Sequence, residues 1–498
     1  MTFRSHGFSF EKRRIELQEG KGTASTERCG EISAKILFIN PSKTAGQRFT
    51  WPHMGLGYLA SCLKQIGVTV NIFDMRVMGS SLPKVFDIVG RFRPNYVGIT
   101  AMTEDMDRAG RVAEICKKVD PGILTILGGV HVSALPFPTL SAFPQFDIGV
   151  IGEGEYVLPT LIEMLDRGES LDTLGGIVYR SHGAIKITAP RPFIDDLDAL
   201  LFPAWELFPL QLYRGYNETI GKHGLELPIL TSRGCPFQCV FCARPSGSKA
   251  RLRSPKNVVD EIERNYDRFK SRYLFISDEN FTFNRSRVHR ICHEIVDRGL
   301  DIEWWCESRV DTCDRETLVL MKKAGCYLVS FGVESGNPEI LRSIKKRITL
   351  SQCESFTRTC RELGIITEAY FILGHPYETR KTAEDTISFA RKLNTDRMSI
   401  GIMVPLPGTE VANMASKGEG GYRFMGKNWS DYGKIIGRAL ELEELPRHEL
   451  EWLQIKGYIK FYLRPSRISY TWTWFDPWQY PKLFLNFFRH LVYRSKGD

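Results

Sequence analysis

Short apolar runs typical of buried strands alternate with amphipathic stretches typical of helices, twice along this chain of 498 residues. The first alternation covers residues 35–190, and the second covers residues 228–415. Strands separated by helices pair in parallel, because the helix returns the chain to the same edge of the sheet. The sequence therefore predicts two α/β units. The Pro- and aromatic-rich residues 191–227 between them are expected to form a linker.

The first unit is predicted to be a doubly wound, Rossmann-like domain. Its predicted strands cover residues 35–40, 68–73, 96–100, 125–127 and 147–151, and its predicted helices cover 55–67, 82–92, 105–119 and 156–165. Sheets of this kind bind ligands in the crevice at the carboxyl ends of their strands. Those ends carry Asn40 and Pro41, residues 100–103, residues 128–131 and a Gly-Glu-Gly-Glu turn at 152–155.

The second unit is predicted to be a partial (β/α) barrel with six strand–helix repeats. Its predicted strands cover residues 228–232, 273–277, 303–306, 327–332, 367–373 and 398–404. Residues 255–269 are expected to form a helix, with Ser254 as N-cap and Pro255 at the first helical position. In a barrel of this kind the chemistry lies at the carboxyl ends of the strands.

Three cysteines follow the first predicted barrel strand directly. Cys235, Cys239 and Cys242 have the spacing C-x3-C-x2-C. A structural zinc site normally needs four ligands. A [4Fe–4S] cluster held by three thiolates instead keeps one iron open for another ligand. The spacing therefore favours a cluster, shielded from water by Phe237 and Phe241, over an unusual zinc site or purely structural cysteines.

With the barrel predicted around it, this loop resembles the motif of the radical S-adenosylmethionine (SAM) superfamily. In that superfamily the open iron chelates SAM, and reductive cleavage of SAM yields a 5′-deoxyadenosyl radical. The usual Gly-Gly-Glu of the methionine-amine motif is absent here, and a Glu or Arg at a strand end can equally be a structural ion pair or cap. By resemblance, the candidate SAM contacts are Phe241 against the adenine, Ser277, Asp278, Glu279, Glu307, Arg309, Glu334 and Gly374.

A doubly wound domain before such a barrel resembles the cobalamin-binding radical SAM subfamily, over residues 35–465. The alternative is a domain that kept the fold without the cofactor. The motif D-x-H-x-x-G does not occur, so no histidine of that motif holds the lower face of cobalt. By resemblance, the candidate cobalamin contacts are Asn40, Pro41, Gly55, Gly57, Thr100, Thr103, Gly128, Gly129, His131, Gly152, Glu153 and Gly154.

The resemblance implies a C-methyltransferase. The 5′-deoxyadenosyl radical would remove hydrogen from an unactivated carbon, methylcobalamin would supply the methyl group, and a second SAM would remethylate the cobalt. The radical step needs no acid–base residue, so none is assigned. An electron donor such as flavodoxin or ferredoxin is expected. The alternative in the same family is a cyclase of the anaerobic magnesium-protoporphyrin monomethyl ester type, or another radical rearrangement.

The formal net charge of +9 would suit nucleic-acid binding, which two more distant alternatives could involve. Enzymes of tRNA methylthiolation carry three additional N-terminal cysteines, but Cys29 precedes the first predicted strand and only Cys62 and Cys116 follow it. A non-catalytic iron–sulfur sensor is the other alternative. Nucleic acid is not the expected partner. The remaining barrel cysteines Cys306, Cys326, Cys353 and Cys360 are expected in the core.

The two ends of the chain differ in composition. Residues 1–34 form a polar extension without the apolar segment of a signal peptide, which predicts a cytoplasmic protein with reduced thiols. The C-terminal region, residues 416–498, is expected to be small and mainly helical. Its last 38 residues include twelve aromatic residues, and six Lys and Arg against two Asp. This tail predicts peripheral membrane contact and a lipophilic substrate, or else a helix packed on the barrel.

Overall fold

Two seven-stranded sheets form the framework of the computed structural model, which describes residues 34–42, 50–217, 221–433 and 438–464. The first sheet has the strand order β2-β1-β3-β4-β5-β6-β7. Its strands are β1 (Lys35–Asn40), β2 (Thr69–Asp74), β3 (Tyr96–Thr100), β4 (Leu124–Gly128), β5 (Ile148–Val150), β6 (Ile177–Ser181) and β7 (Ala184–Ile187).

The first five strands are parallel, and β6 and β7 add an antiparallel hairpin at one edge. Residues 36–39 of β1 are buried on both faces, as expected for a central parallel strand. The hairpin was not predicted. His182 and Gly183 turn it with φ of 49° and 81°, the conformation that two-residue hairpin turns require.

Helices cover both faces of this sheet, which confirms the doubly wound prediction. α1 and α7 pack on one face, and α3 and α4 pack on the other. The helices are α1 (Met54–Gln65), α2 (Met75–Met78), α3 (Leu82–Phe92), α4 (Met106–Val119), α5 (Val130–Ala134), α6 (Pro136–Ala142) and α7 (Val157–Asp166).

The second sheet forms a half-barrel with six parallel strands, as predicted, and one antiparallel edge strand. Its order is β16-β15-β14-β13-β12-β9-β8, and β10 and β11 form a separate two-stranded ribbon. The strands are β8 (Arg214–Asn217), β9 (Lys222–Ile229), β10 (Ser232–Arg233), β11 (Arg251–Leu252), β12 (Tyr273–Ile276), β13 (Glu303–Ser308), β14 (Cys326–Glu334), β15 (Ile366–Leu373) and β16 (Arg397–Ile402).

The first barrel strand begins at Lys222, six residues before the expected start at Pro228. The start was missed because Lys222 to Gly224 are poor strand formers in sequence. Gly224 is needed there, since a Cβ atom on it would lie 2.2 Å from the ring of Tyr273 on the neighbouring strand. The expected linker therefore contains the β8–β9 pair, and the proposed domain boundaries stay predictions.

Helices cover the outer face of the half-barrel. Ser254 caps α8 by accepting a hydrogen bond from the Asn257 N–H at 3.2 Å, with Pro255 at the first position, as predicted. The four core cysteines named above are buried. The helices are α8 (Pro255–Phe269), α9 (Arg285–Asp297), α10 (Arg315–Lys323), α11 (Pro338–Ser343), α12 (Leu350–Glu362), α13 (Arg380–Leu393), α14 (Glu410–Lys417) and α15 (Arg447–Tyr462).

The C-terminal region adds a small hairpin, β17 (Tyr422–Phe424) with β18 (Leu440–Leu442), and α15. Helix α15 packs on β16: Phe461 is buried, and the Tyr462 hydroxyl donates to the Met398 carbonyl at 2.8 Å. The start of the aromatic tail is thus part of the barrel core, and residues 465–498 lie outside the described residues. Among the described residues, no helix is long and apolar enough to cross a membrane.

Candidate functional site

A cavity of about 300 Å³ lies where the carboxyl edge of the first sheet faces the barrel. The first unit contributes the ends of β3, β4 and β5, and the barrel contributes Leu230, Arg233, Pro245 and Ser246. A ligand in this cavity would therefore touch both units. The position agrees with the rule that open parallel sheets bind ligands at the carboxyl ends of their strands.

Seven of the twelve candidate cobalamin contacts line the cavity. Two of them leave space open, because a Cβ atom added to Gly128 or Gly152 would meet nothing within 4 Å. Gly129 has φ of 103°, and a Cβ atom on it would lie 2.7 Å from the Ala101 carbonyl oxygen. Backbone thus forms much of this wall. The seven residues are Gly55, Thr100, Gly128, Gly129, Gly152, Glu153 and Gly154.

Asn40, Pro41, Gly57, Thr103 and His131 are not among the residues that line the cavity. A Cβ atom on Gly57 would lie 2.8 Å from Pro203 Cβ, so this glycine lets α1 approach the connecting segment. The Asn40 side chain accepts a hydrogen bond from the Ser42 N–H at 3.3 Å.

His131 is buried beside the cavity wall. Its Nδ1 lies 3.2 Å from the Thr103 hydroxyl, and its ring meets the edge of Trp429 with centroids 4.6 Å apart. Burial lowers the pKa of His131 to about 4, so the ring is neutral at pH 7. Its Nε2 has no hydrogen-bond partner among the described residues. His53, which was not predicted to bind, lines the cavity and caps α1 by accepting from the Leu56 N–H at 3.2 Å.

The three predicted cluster ligands lie on one tight loop. The Cys235 N–H donates to the Gly247 carbonyl at 3.2 Å, and the Cys242 N–H donates to the Cys239 carbonyl at 3.1 Å. Burial raises the pKa of the Cys235 and Cys242 thiols, and the neighbouring cysteines raise it further. The thiols therefore lie close enough for their charges to interact.

The three thiols on this loop match the number of thiolates that hold a [4Fe–4S] cluster with one open iron. Among the described residues, no three metal-ligating side chains converge tightly enough to hold one ion. A four-iron cluster places each thiolate on a different iron and so needs a wider arrangement. Thiols with raised pKa values ionise when a metal centre supplies the positive charge. Gly234 makes the loop compact, since its φ is 85° and a Cβ atom on it would clash with the Lys249 carbonyl.

Of the candidate SAM contacts after β12, Asp278 has a structural role in this loop. Its buried carboxylate accepts hydrogen bonds from both the backbone N–H and the hydroxyl groups of Thr231 and Ser232. It thereby fixes the segment that leads into the cysteines. Ser277 is half-buried, and its N–H donates to the Ile229 carbonyl at 2.8 Å. Glu279 is exposed, and its charge raises the pKa of Cys235 and Cys242.

Two further candidate SAM contacts lie at neighbouring strand ends: Glu334 ends β14, and Gly374 follows β15. Glu334 has φ of 70°, is buried, and pairs with Lys346 at 2.7 Å. His375 Nε2 lies 3.3 Å from the Glu334 carbonyl, and the His375 and Phe241 ring centroids are 6.1 Å apart. Gly374, with φ of 89°, donates its N–H to the carboxylate of Glu378.

Two candidates follow or end β13. Glu307 is half-buried near the carboxyl end of the strand, and its charge raises the pKa of Tyr370 on β15. Arg309 lies against the cysteine loop, with its Nη1 4.0 Å from Cys239 Sγ. Phe237 lies directly under this guanidinium, at 3.7 Å from Cζ to the ring centroid.

A buried ion-pair network joins the two units beside the cavity. Glu153 accepts from Arg233 at 3.0 Å and from Arg251 at 2.8 Å, and Glu155 pairs with Arg233 at 2.5 Å. Sequence analysis did not identify Arg233 and Arg251. Arg233 stands two residues before Cys235, so the network connects the cavity wall to the cysteine loop.

Comparison with known proteins gives the same two units. The model of the Radical SAM superfamily matches residues 229–390, and that of the B12 binding domain matches residues 45–162. An uncharacterized methyltransferase of Pyrococcus horikoshii is 34% identical over 86% of this chain and 93% of its own length. The chain belongs to the cobalamin-dependent radical SAM enzymes. Membership in this family implies SAM, a [4Fe–4S] cluster and cobalamin as cofactors.

Two further matches agree with this family. The anaerobic magnesium-protoporphyrin IX monomethyl ester cyclase of Rubrivivax gelatinosus is 30% identical over 88% of this chain and 79% of that protein. The radical SAM methyltransferase TsrM of Kitasatospora setae, solved with cobalamin and a [4Fe–4S] cluster, superimposes with a TM-score of 0.70 at 18% identity. It covers 87% of this chain and 90% of that one. This last match concerns the fold alone.

The residues present fit the three cofactors of the family. The three thiols on one loop suit the cluster, and the glycine-lined wall lets the backbone approach a ligand such as cobalamin closely. Near the cysteines, Phe241 packs against His375, whose ring in turn lies against the Glu334 carbonyl, and SAM contacts there remain a prediction. The roles inferred by resemblance for single residues remain predictions.

Proposed function

We propose that this protein is a radical SAM C-methyltransferase that acts on an unactivated carbon of a small lipophilic molecule. The observation that carries the proposal is the shared wall of the cavity. Arg233 stands just before the cysteine loop, Pro245 and Ser246 stand just after it, and all three line the cavity at the end of the first sheet. Similarity to the methyltransferase of Pyrococcus horikoshii supports the same reaction.

When bound, the cluster would supply the electron for SAM cleavage, and cobalamin would supply the methyl group. The role of the protein would be to hold these groups at one interface and to exclude water from the reacting centre. Cys235, Cys239 and Cys242 would hold the cluster, and Phe237 and Phe241 would cover it. The network around Glu153 would keep the two units in a fixed relative position while the reaction proceeds.

The inner face of the half-barrel supports an apolar substrate. Phe275 and Trp305 stack with ring centroids 3.9 Å apart, and Trp51 from the first unit lies 5.3 Å from the Phe275 ring. The indole N–H groups of Trp51 and Trp305 each donate to Glu226 at 2.7 Å, which fixes the orientation of both rings. All three aromatic side chains are half-buried, so part of this surface is accessible to a flat or lipophilic molecule.

Three finer points belong to this proposal. An acidic electron carrier such as flavodoxin or ferredoxin would reduce the cluster. The enzyme would work in the cytoplasm. Peripheral membrane contact through the aromatic tail would give access to a lipophilic substrate, and that tail lies outside the described residues apart from its first four positions.

A radical cyclase is the second candidate, because the magnesium-protoporphyrin ester cyclase of Rubrivivax gelatinosus is 30% identical over most of this chain. Product analysis separates the two functions. Methyl transfer from SAM through cobalamin leaves S-adenosylhomocysteine together with 5′-deoxyadenosine. Cyclisation without methyl transfer leaves 5′-deoxyadenosine alone.

The test uses full-length protein reconstituted anaerobically with iron, sulfide and cobalamin, then incubated with SAM and a chemical reductant. We expect both products from the wild type and from Cys292→Ala, which removes a buried thiol on α9 away from the loop. We expect no 5′-deoxyadenosine from Cys239→Ala. The same assay is then run with a panel of tetrapyrroles and polycyclic lipids as test substrates. If 5′-deoxyadenosine forms there without S-adenosylhomocysteine, the result contradicts methyl transfer and favours the cyclase.

A further inference from the structure

The guanidinium of Arg309 occupies a fixed position against the cysteine loop. Its Nη1 lies 4.0 Å from the sulfur atom of Cys239. Its Cζ lies 3.7 Å from the centroid of the Phe237 ring, close enough for a cation–π contact. The Arg309 side chain is only 6% exposed, so solvent screens its charge weakly.

Asp311 and the backbone hold this guanidinium in place. Nε and Nη2 of Arg309 donate to the two carboxylate oxygens of Asp311 at 3.0 and 2.9 Å. Nη2 also donates to the Lys346 carbonyl at 2.8 Å. A planar guanidinium held by a two-pronged carboxylate contact and by ring stacking keeps its orientation. The remaining nitrogen, Nη1, points to the cysteine loop.

We infer that Arg309 raises the reduction potential of the cluster by placing a fixed positive charge at Cys239, and that Asp311 moderates this effect. Reduction adds one electron from an external reductant to the cluster, so the cluster and its thiolates become one unit more negative. A nearby positive charge stabilises that reduced form more than the oxidised form. Net charge and hydrogen bonds to the sulfur atoms are known determinants of such potentials.

Two other charged groups near the loop, Glu279 and Lys346, differ from Arg309 in this respect. Glu279 acts on Cys235 and Cys242 with a negative charge, which opposes reduction. Lys346 is paired with Glu334 at 2.7 Å, so its ammonium group is held at Glu334 rather than at a cysteine sulfur. The guanidinium of Arg309 instead places its Nη1 4.0 Å from a cysteine sulfur atom. This role differs from the SAM contact that the sequence predicted for Arg309, and it requires the cluster but not methyl transfer.

The test is a redox titration of the full-length reconstituted protein, followed by electron paramagnetic resonance of the reduced cluster. Titration without SAM removes any contribution from SAM binding. We expect Arg309→Gln to hold at least tenfold less reduced cluster at a fixed potential, a downward shift of about 59 mV for one electron. Arg309→Lys keeps the positive charge but loses the two-pronged contact with Asp311, so the reduction potential should fall by less than in Arg309→Gln. Asp311→Asn should shift the potential upward.

Arg272→Gln is the control, because Arg272 pairs with Asp301 on the exposed surface at the opposite end of the strands. The cluster in this variant should have the same reduction potential as in the wild type. Equal potentials in Arg309→Gln and wild type would overturn the inference, as would a downward shift in Asp311→Asn. If Arg309→Gln fails to retain iron, Asp311→Asn decides: an upward shift supports the role of Arg309, and an unchanged potential overturns it. Loss of methyl transfer with the predicted potentials intact would refute the proposed function alone.

Discussion

Replacing Glu153 by Gln tests the ion-pair network that joins the two units. The wild-type carboxylate accepts hydrogen bonds from Arg233, from Nη1 of Arg251 and from the Ile194 N–H at 2.6 Å, and it also lies 2.8 Å from Nη2 of Arg251. Its side chain is only 10% exposed, and those of Arg233 and Arg251 are 8% and 3% exposed. A glutamine has the same size but must turn its NH₂ group toward one of these donors.

The magnitude follows from burial and from the partners that remain. Removing one partner of a buried ion pair costs about 3–5 kcal/mol. Glu155 still pairs with Arg233, and the amide oxygen keeps some hydrogen bonds, so we expect a loss near the lower limit, about 3 kcal/mol. For a unit of this size that corresponds to a fall in the unfolding midpoint of roughly 6–12 °C. Because Glu153 also lines the cavity, cobalamin retention should fall as well.

Thermal unfolding by calorimetry and cobalamin retention by absorbance after gel filtration measure both effects. Asp172→Asn is the matched control, since it breaks the exposed Asp172–Lys186 pair of the same unit and should leave the unfolding midpoint close to that of the wild type. An unfolding midpoint and cobalamin content equal to those of the wild type in Glu153→Gln would refute a structural role for the network.

The same network should respond to acid. Burial alone would raise the pKa of Glu153, but hydrogen bonds from Arg251 and Ile194 and the charge of Arg233 bring it below the usual value of 4.5. A carboxylate with a lowered pKa contributes stability that is present above pH 4.5 and is lost as the pH falls through the folded-state pKa. The stability difference between wild type and Glu153→Gln should therefore shrink as the pH falls below 4.5.

Three further changes have defined outcomes. Gly128→Ala should leave the apoprotein's unfolding midpoint unchanged and weaken cobalamin binding in a titration, because its Cβ atom would meet no protein atom but would point into open space on the cavity wall; unchanged affinity would contradict this. Gly129→Ala should instead destabilise the apoprotein by about 1–3 kcal/mol in urea unfolding, because its φ of 103° and the Ala101 carbonyl leave no room for a Cβ atom. Burial raises the pKa of Glu378 to about 8, so the free energy of unfolding of the wild type should fall as the pH rises from 4.5 to 8. Glu378→Gln should not show this fall, and parallel pH profiles of the two proteins would refute the prediction.

Local signals made most of the framework predictable. β1, β3, α3 and α8 have the predicted limits, because a compact apolar run or a cap defines each of them. The β6–β7 hairpin was missed although residues 177–187 carry a hairpin signal, an apolar run followed by a His-Gly turn. The start of β9 depends on a tertiary contact, the ring of Tyr273 over Gly224, and a single sequence gives no sign of it.

The candidate site was only partly predictable. The cysteine loop and the glycine-rich turns have local patterns, and seven of the candidate cobalamin contacts do line the cavity. The pairing of Glu153 with Arg233 joins residues 80 positions apart, and no local pattern specifies it. Asp278 shows the opposite case, in which a local pattern was present but suggested a different role. Its position at a strand end suggested a ligand contact, whereas its carboxylate is saturated by Thr231 and Ser232.

The central claim is that the cluster and cobalamin lie at one interface between the two units. Electron paramagnetic resonance measures this directly, because the reduced cluster and cob(II)alamin each carry an unpaired electron. We expect the cob(II)alamin signal of the reconstituted wild type to broaden and relax faster once the cluster is reduced, and Cys239→Ala to show no such change. A cob(II)alamin signal that is identical with the cluster oxidised and reduced would contradict the account.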